Sequence, residues 1–190
     1  NNQRMKAKFI LSKNIVKKQL AKCYELADEV SYSAKTNYEV SKILEDTNCS
    51  FSVHSQEGVN QIKNKDKIWF FAQGWNKEEI ENLYHQGINS FVVDNKEDLN
   101  LLLDSNKKIN LLLRMRLKKS TVHTGKHFVF SFFSKDINNL IPKLRNNENI
   151  LKLGVHFHRK TQNVSEWSLI SELEDSLDKN TLKDLDYVNI

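Results

Sequence analysis

The sequence predicts an α/β protein built on a parallel sheet, and three observations carry that prediction. Seven short apolar runs, counted from Val30, alternate with segments of helical periodicity along the 190 residues. The runs are continuous rather than alternating in polarity, as expected of strands buried on both faces with helices packed outside them. No G-x-G-x-x-G follows the first run, which counts against a dinucleotide-binding sheet. A doubly wound sheet and a (β/α) barrel both remain compatible with the pattern.

The elements follow in order. Residues 8–11 (KFIL) read as a short strand. Ser12 is a good N-cap, and Ile15, Val16, Leu20, Tyr24 and Ala27 recur at helical spacing up to Glu29. Residues 30–35 (VSYSAK) are the first strand of the alternation and 38–45 its helix. Strand 49–54 (CSFSVH) precedes helix 56–63, and strand 67–72 (KIWFFA) precedes helix 76–85. The latter has Glu78, Glu79 and Glu81 near its start and Gly87 as its C-cap. Strand 89–93 (NSFVV) leads to helix 96–104, and strand 109–115 (INLLLRM) to a helix capped by Ser134 and ending near Arg145. Strand 151–158 (LKLGVHFH), helix 164–177 and strand 185–190 (LDYVNI) complete the alternation. Between Arg116 and Ser134 lie 17 residues without a period; loops of this length are functional or disordered, and their aromatic FVFSFF end argues against disorder.

Composition bounds the rest. With 39% hydrophobic residues the chain can bury about 70% of its unfolded surface as one domain. The formal charge of +5 is dispersed, so it is weak evidence for nucleic-acid binding. Cys23 and Cys49 lack metal-ligand spacing and suggest reduced thiols in a cytoplasmic protein. No apolar run approaches a membrane span, and no basic-then-apolar leader opens the chain. Residues 1–4 precede Met5, the expected natural start.

In parallel α/β folds, ligands sit at the carboxyl ends of the strands. There this chain places Lys35, His54 with Ser55, Gln73, Arg114 with Arg116, and His156 with His158, followed by Arg159, Lys160 and Thr161. Lys35 closes an otherwise apolar strand, where an unpaired ammonium is costly. Such a lysine snorkels to solvent, pairs with a carboxylate, or serves as a Schiff-base amine. Arg114 also reads as a rim ion pair, His54 as a structural or rim-exposed residue, and the two histidines of strand six as an unsupported metal pair lacking a third ligand. No G-x-S-x-G elbow points to a nucleophilic triad. Together these groups make a cationic, hydroxyl-bearing rim suited to an anionic, aromatic or carbonyl-bearing ligand.

The same segments carry a resemblance. VSYSAKTN resembles the "YAVKAN" signature of fold-type III pyridoxal-phosphate enzymes, the alanine-racemase-like barrel of ornithine, arginine, lysine and diaminopimelate decarboxylases. KILEDTNCSFSVHSQEGVNQI is similar to their next helix and strand, and KIWFFAQGWNKEEIENLYHQGINSFVVDNKEDLNLL to their "RIIFANPxK" and "FTFDSxEEL" region. INLLLRMR resembles "LRI", LGVHFHRKTQ resembles "GLHFHIGSQ", and DYVNI resembles the strand before a "GGG" turn. The matches keep their order from Phe9 to Ile190.

The resemblance implies an incomplete (β/α)8 barrel of about seven βα units over residues 12–190. Residues 1–11 would hold an N-terminal strand belonging to a missing C-terminal β-domain. It implies that Lys35 forms the internal aldimine with pyridoxal 5'-phosphate, that His158 stacks on the pyridine ring, that Arg114 lies beside the ring, and that Thr161 replaces the serine that helps hold the phosphate. Ser52 stands where these decarboxylases usually have aspartate at the cofactor site. Arg159 and Lys160 replace small or apolar residues, and Ser131 replaces a glycine.

The family's glycine turn, eighth strand and C-terminal β-domain are not in the sequence. The expectation is the N-terminal subunit of a split decarboxylase for arginine, ornithine or lysine in polyamine synthesis. A second polypeptide would complete it, in a dimer of such heterodimers. The alternatives are diaminopimelate decarboxylation and a non-catalytic homologue that binds a true decarboxylase or its regulator. A racemase on the same barrel is disfavoured by the long loop, and nucleic-acid binding is not expected.

Overall fold

A computed structural model describes residues 8–116, 131–158 and 169–190. The helices are α1 (Lys13–Tyr24), α2 (Tyr38–Leu44), α3 (Gln56–Gln61), α4 (Lys77–His85), α5 (Lys96–Asp104), α6 (Ser134–Arg145), α7 (Leu169–Ser176) and α8 (Lys179–Lys183). The strands are β1 (Ser31–Ser33), β2 (Ser50–Val53), β3 (Ile68–Phe71), β4 (Ser90–Val93), β5 (Ile109–Met115), β6 (Ile150–Phe157) and β7 (Tyr187–Asn189). The chain divides into two compact units, residues up to Ile68 and residues from Trp69 onward.

Asparagine and serine set most of the helix starts. The Oδ1 atoms of Asn37, Asn76 and Asn95 accept the N–H groups of Glu39, Glu79 and Asp98 at 3.0, 3.0 and 2.8 Å. Ser12 caps α1 through Ile15 N–H at 3.4 Å, and Ser55 caps α3 through Gly58 N–H at 3.2 Å. Glu79 returns the bond to Asn76 N–H at 2.8 Å, completing a capping box on α4. Gly87, just past α4, takes φ +95°, a left-handed conformation that suits glycine after a helix.

In the first unit β1 and β2 pair in parallel, with Tyr32 opposite Phe51 and Ser33 opposite Ser52. Leu44, Phe51, Val53, Val59 and Ile62 form its core. Residues 8–11 are not in a strand here, and Phe9 and Ile10 are exposed; the strand expected of them is one that pairs with a domain outside this chain. Helix α1 stops at Tyr24, short of Glu29, and fully buries no residue: Val16, Leu20 and Tyr24 are half-buried, whereas Ile15 is exposed.

In the second unit β3 to β7 are parallel neighbours in chain order. One face carries the rows Phe91–Leu111–Leu153 and Val93–Leu113–Val155, all fully buried. Ile80, Leu83, Leu99, Leu102, Ile137, Ile141 and Leu144 of α4, α5 and α6 are buried with them. The opposite face curls. Trp69 on β3 meets Tyr187 on β7 edge-on with ring centroids 6.0 Å apart. Four strand spacings in a flat sheet would separate those backbones by about 19 Å. Closure of this kind packs strand against strand as in a barrel. The fold class is α/β, an incomplete (β/α)8 barrel with seven parallel strands alternating with helices.

Two further boundaries depart from expectation. Phe133, not Ser134, occupies the N-cap position of α6, and it supplies no side-chain cap. Helix α8 was not expected, because five residues are too few to show a period. Most of the loop after Arg116 lies outside the described residues.

Candidate cofactor site

The first unit places Lys35 on a single 3-10 turn, Ala34–Thr36, immediately after β1. Lys35 is exposed, and its amine has no hydrogen-bond or ion-pair partner among the described residues. This corrects the expectation of a buried strand lysine. The backbone leaves the strand at Ser33, and Ala34 is the residue buried, at 1% exposure. Of the three fates open to this lysine, the carboxylate pair is excluded for this conformation.

Beside it, Ser31, Ser33, Ser50 and Ser52 share one face of the β1–β2 pair. Ser52 and Ser31 are hydrogen-bonded Oγ to Oγ at 2.8 Å. A half-buried Tyr32 donates its hydroxyl to the carbonyl of Asn37 at 3.4 Å; burial nonetheless pushes its phenol upward, so it stays protonated at neutral pH. Cys49 is a buried thiol, also pushed up by burial, which leaves it inert rather than nucleophilic.

In the second unit the strand ends form a polar row. Arg114 on β5 is opposite His156 on β6, which is opposite Asn189 on β7. Asp94, one residue past β4, ion-pairs with Arg114 across 3.9 Å, the two side chains being 16% and 28% exposed. Arg114 is therefore the rim ion pair that its sequence position suggested. His156 Nδ1 lies 2.6 Å from Asn189 Oδ1, and its ring meets the edge of Phe71 at 5.1 Å. His158, one residue past β6, is exposed, whereas His156 is half-buried. Thr161, Arg159 and Lys160 lie outside the described residues.

Other rim residues are committed elsewhere. Ser55 caps α3. Arg116 donates its N–H to Phe132 and lies over the ring of Phe133 at 4.9 Å. Among the described residues no group of three or more His, Cys, Asp or Glu could hold a metal, and no helix is long and apolar enough to cross a membrane. An open cleft of about 260 Å³ lies beside Asp94, Lys96, Phe132 and Asp136, bridged by a 2.8 Å Lys96–Asp136 ion pair. Sequence reasoning missed Asp94 and Asn189, which join the row only once strand register is known.

The first unit carries an unpartnered amine after β1, and the second, taken by itself, carries guanidinium and imidazole groups at the ends of β5 and β6. Residues 12–179 match the family described as pyridoxal-dependent decarboxylase, pyridoxal binding domain. The chain belongs to the pyridoxal-dependent decarboxylases. Its cofactor is pyridoxal 5'-phosphate.

Solved structures share this decarboxylase fold. The protein AQ1208 of Aquifex aeolicus is 19% identical with a TM-score of 0.65, over 94% of this chain and 46% of its own. The Paramecium bursaria Chlorella virus arginine decarboxylase bound to agmatine is 16% identical with a TM-score of 0.67, over 90% of this chain and 48% of its own. The Vibrio vulnificus lysine/ornithine decarboxylase complexed with cadaverine is 19% identical with a TM-score of 0.61, over 80% of this chain and 42% of its own. At these identities the likeness establishes the fold. The chain spans less than half the length of each of these three relatives. None of the curated proteins compared matches it significantly.

Each unit, taken by itself, has a group whose chemistry suits the cofactor. A carbonyl group is captured by a lysine whose amine is not already paired, and Lys35 has an amine of that kind. The guanidinium of Arg114 has the charge and directed N–H donors that an anionic group takes.

Proposed function

We propose that this chain is the cofactor-bearing part of a decarboxylase acting on a basic amino acid. The observation that carries the reading is the family match across residues 12–179. Lys35 is the covalent anchor of pyridoxal 5'-phosphate; its exposed amine on a turn after β1 supports that role. His158 stacks on the pyridine ring, Arg114 lies beside it, and Thr161 contributes a hydroxyl to the phosphate. Ser52 contacts the cofactor region through a hydroxyl rather than a carboxylate. When bound, the cofactor supplies an electron sink for the bond that releases carbon dioxide.

Arginine, ornithine and lysine are the substrates of choice, because relatives of this fold are named for decarboxylating them. Polyamine synthesis in the cytoplasm is the corresponding setting. In this reading the remaining half of the fold is supplied by a second polypeptide, two such pairs forming the working assembly.

A second reading, a non-catalytic homologue that binds a true decarboxylase, is favoured by Ser52. Its hydroxyl is hydrogen-bonded to Ser31, and it brings no charge where the resemblance expects a carboxylate.

The test is reconstitution with a polypeptide carrying the other half, in pyridoxal 5'-phosphate, with carbon dioxide release measured on arginine, ornithine and lysine. Release that disappears in Lys35→Ala supports the enzyme. Cofactor binding without release on any substrate points to the second reading. No cofactor binding in the assembled pair overturns both assignments of Lys35 and Arg114.

A further inference from the structure

We infer that Asn95 is a positioning residue for Arg114: its amide holds the Asp94 carboxylate in the orientation that pairs with the guanidinium. The inference rests on reading Arg114 as the arginine beside the cofactor ring, while the hydrogen-bond network behind it stands without the cofactor.

Strand register brings the charged pair together. Val93 on β4 is opposite Leu113 on β5, so the next residues, Asp94 and Arg114, fall side by side where β4 ends. Asp94 Oδ2 and Arg114 Nη1 are 3.9 Å apart, an ion pair longer than a direct hydrogen bond. Attraction at that length is Coulombic and weakly directional, so it does not by itself fix where the carboxylate points. The adjacent cation Lys96 turns elsewhere, to Asp136 at 2.8 Å.

Asn95 supplies the fixation. Its Oδ1 accepts the N–H of Asp98 at 2.8 Å, which caps α5. Its Nδ2 donates to Asp94 Oδ1 and to Asp98 Oδ2, both at 2.9 Å. The amide is held one way round. A backbone N–H only donates, so the atom that faces it is the amide oxygen, and both amide N–H groups are left for the carboxylates. The far end is anchored as well: Asp98 is 3% exposed, and its Oδ2 also accepts the Gly74 N–H at 3.0 Å.

The links run in one direction. The turn at Gly74 and the start of α5 hold Asp98, and Asp98 with the helix cap holds the Asn95 amide. One N–H of that amide holds Oδ1 of Asp94, which leaves Oδ2 toward Arg114. An asparagine before a helix reads in the sequence as a cap and nothing more. Here the same side chain also aims a carboxylate. Asn95 acts through Asp94 and Arg114, not on the reacting atoms.

The experiment is a double-mutant cycle in the assembled pair. It reads the dissociation constant and absorbance maximum of pyridoxal 5'-phosphate for the unmodified protein, Asn95→Gly, Arg114→Ala and the double variant. Glycine is tolerated at a helix N-cap, so α5 keeps its start while both amide donors go. Asn95→Gly should weaken cofactor binding about 2- to 10-fold, the worth of one hydrogen bond, and shift the absorbance maximum. In the Arg114→Ala background the same change should do neither. Equal losses in both backgrounds would make Asn95 purely structural and overturn the inference, as would unchanged binding in Asn95→Gly. Far-ultraviolet circular dichroism reports folding; if Asn95→Gly unfolds, Asp94→Asn takes its place in the cycle with the same expectations. The network is read separately in the 190-residue chain without cofactor, by ¹H–¹⁵N NMR of the Arg114 guanidinium. Its Nε–H should exchange faster with solvent in Asn95→Gly, and an unchanged rate contradicts the inference. Failure of the cofactor to bind the unmodified pair would defeat the functional reading of Arg114, while the exchange rate still decides whether Asn95 positions it.

Discussion

The carboxylate of Asp98 on α5 accepts the backbone N–H of Gly74 at 3.0 Å, tying the turn after β3 to the start of a helix 24 residues later. Asp98 is 3% exposed. The same carboxylate accepts Asn95 Nδ2 at 2.9 Å, and the Asp98 carbonyl accepts the indole N–H of Trp75 at 3.1 Å. Gly74 takes φ +67°, so the turn already uses a conformation that few other residues tolerate. Replacing Asp98 by alanine removes the acceptor of the Gly74 N–H and one acceptor of Asn95, both in part-buried bonds, and leaves the Trp75 bond to the backbone carbonyl in place. We expect a loss of about 1–3 kcal/mol in denaturant unfolding, with Asp98→Asn losing less because its carbonyl still accepts. A stability unchanged by Asp98→Ala would show that the turn is held by other contacts.

Gly154 on β6 leaves no room for a side chain. A Cβ there would meet the backbone oxygen of Tyr187, and would approach Leu112 Cδ2 and Tyr187 Cβ at 2.8 Å each. Two of these obstacles belong to β7, and one is backbone, so β7 must move. Gly154→Ala is expected to cost about 1–3 kcal/mol and to speed amide exchange at Val188 and Asn189 more than at β4. Uniform exchange across the sheet would contradict this local account.

Asp186, immediately before β7, gives a pH dependence. Burial raises its pKa, but the hydrogen bond from Arg145 at 2.7 Å, the Leu153 N–H at 2.9 Å and nearby Arg145 and Lys152 charges outweigh that and hold it below the usual carboxylate value. A depressed folded-state pKa stabilises the protein above the unfolded value of 3.8 and loses that contribution as pH falls through the lower folded value. The stability gap between the unmodified chain and Asp186→Asn should therefore be full at neutral pH and shrink below about pH 4. A gap that widens on acidification would reverse the sign of the coupling.

Helix α5 and strand β5 were legible over their full length, because continuous apolar periodicity is bounded by an asparagine cap on one and by polar turn residues on the other. Gly87 and Ser12 were legible as punctuation for the same local reason. Residues 8–11 are outside any strand here, because an apolar run without a pairing neighbour has no ladder to join. Helix α8 is too short to show a period, and Asp178 supplies no side-chain cap. Lys35 stood out as an amine closing an apolar run and took its expected role from the resemblance, while its exposed amine depends on where β1 gives way to a turn. The row from Asp94 to Asn189 joins residues far apart in the chain and exists only through register. Asp98's burial likewise comes from a turn far away in sequence.

The central claim is that Lys35 is the lysine that holds the cofactor. The direct measurement is borohydride trapping of the assembled, pyridoxal 5'-phosphate-loaded protein, followed by peptide mass spectrometry. The account predicts a phosphopyridoxyl group on the peptide containing Lys35, and none on that peptide in Lys35→Arg. A stoichiometric adduct on another lysine, with Lys35 unmodified, would contradict it.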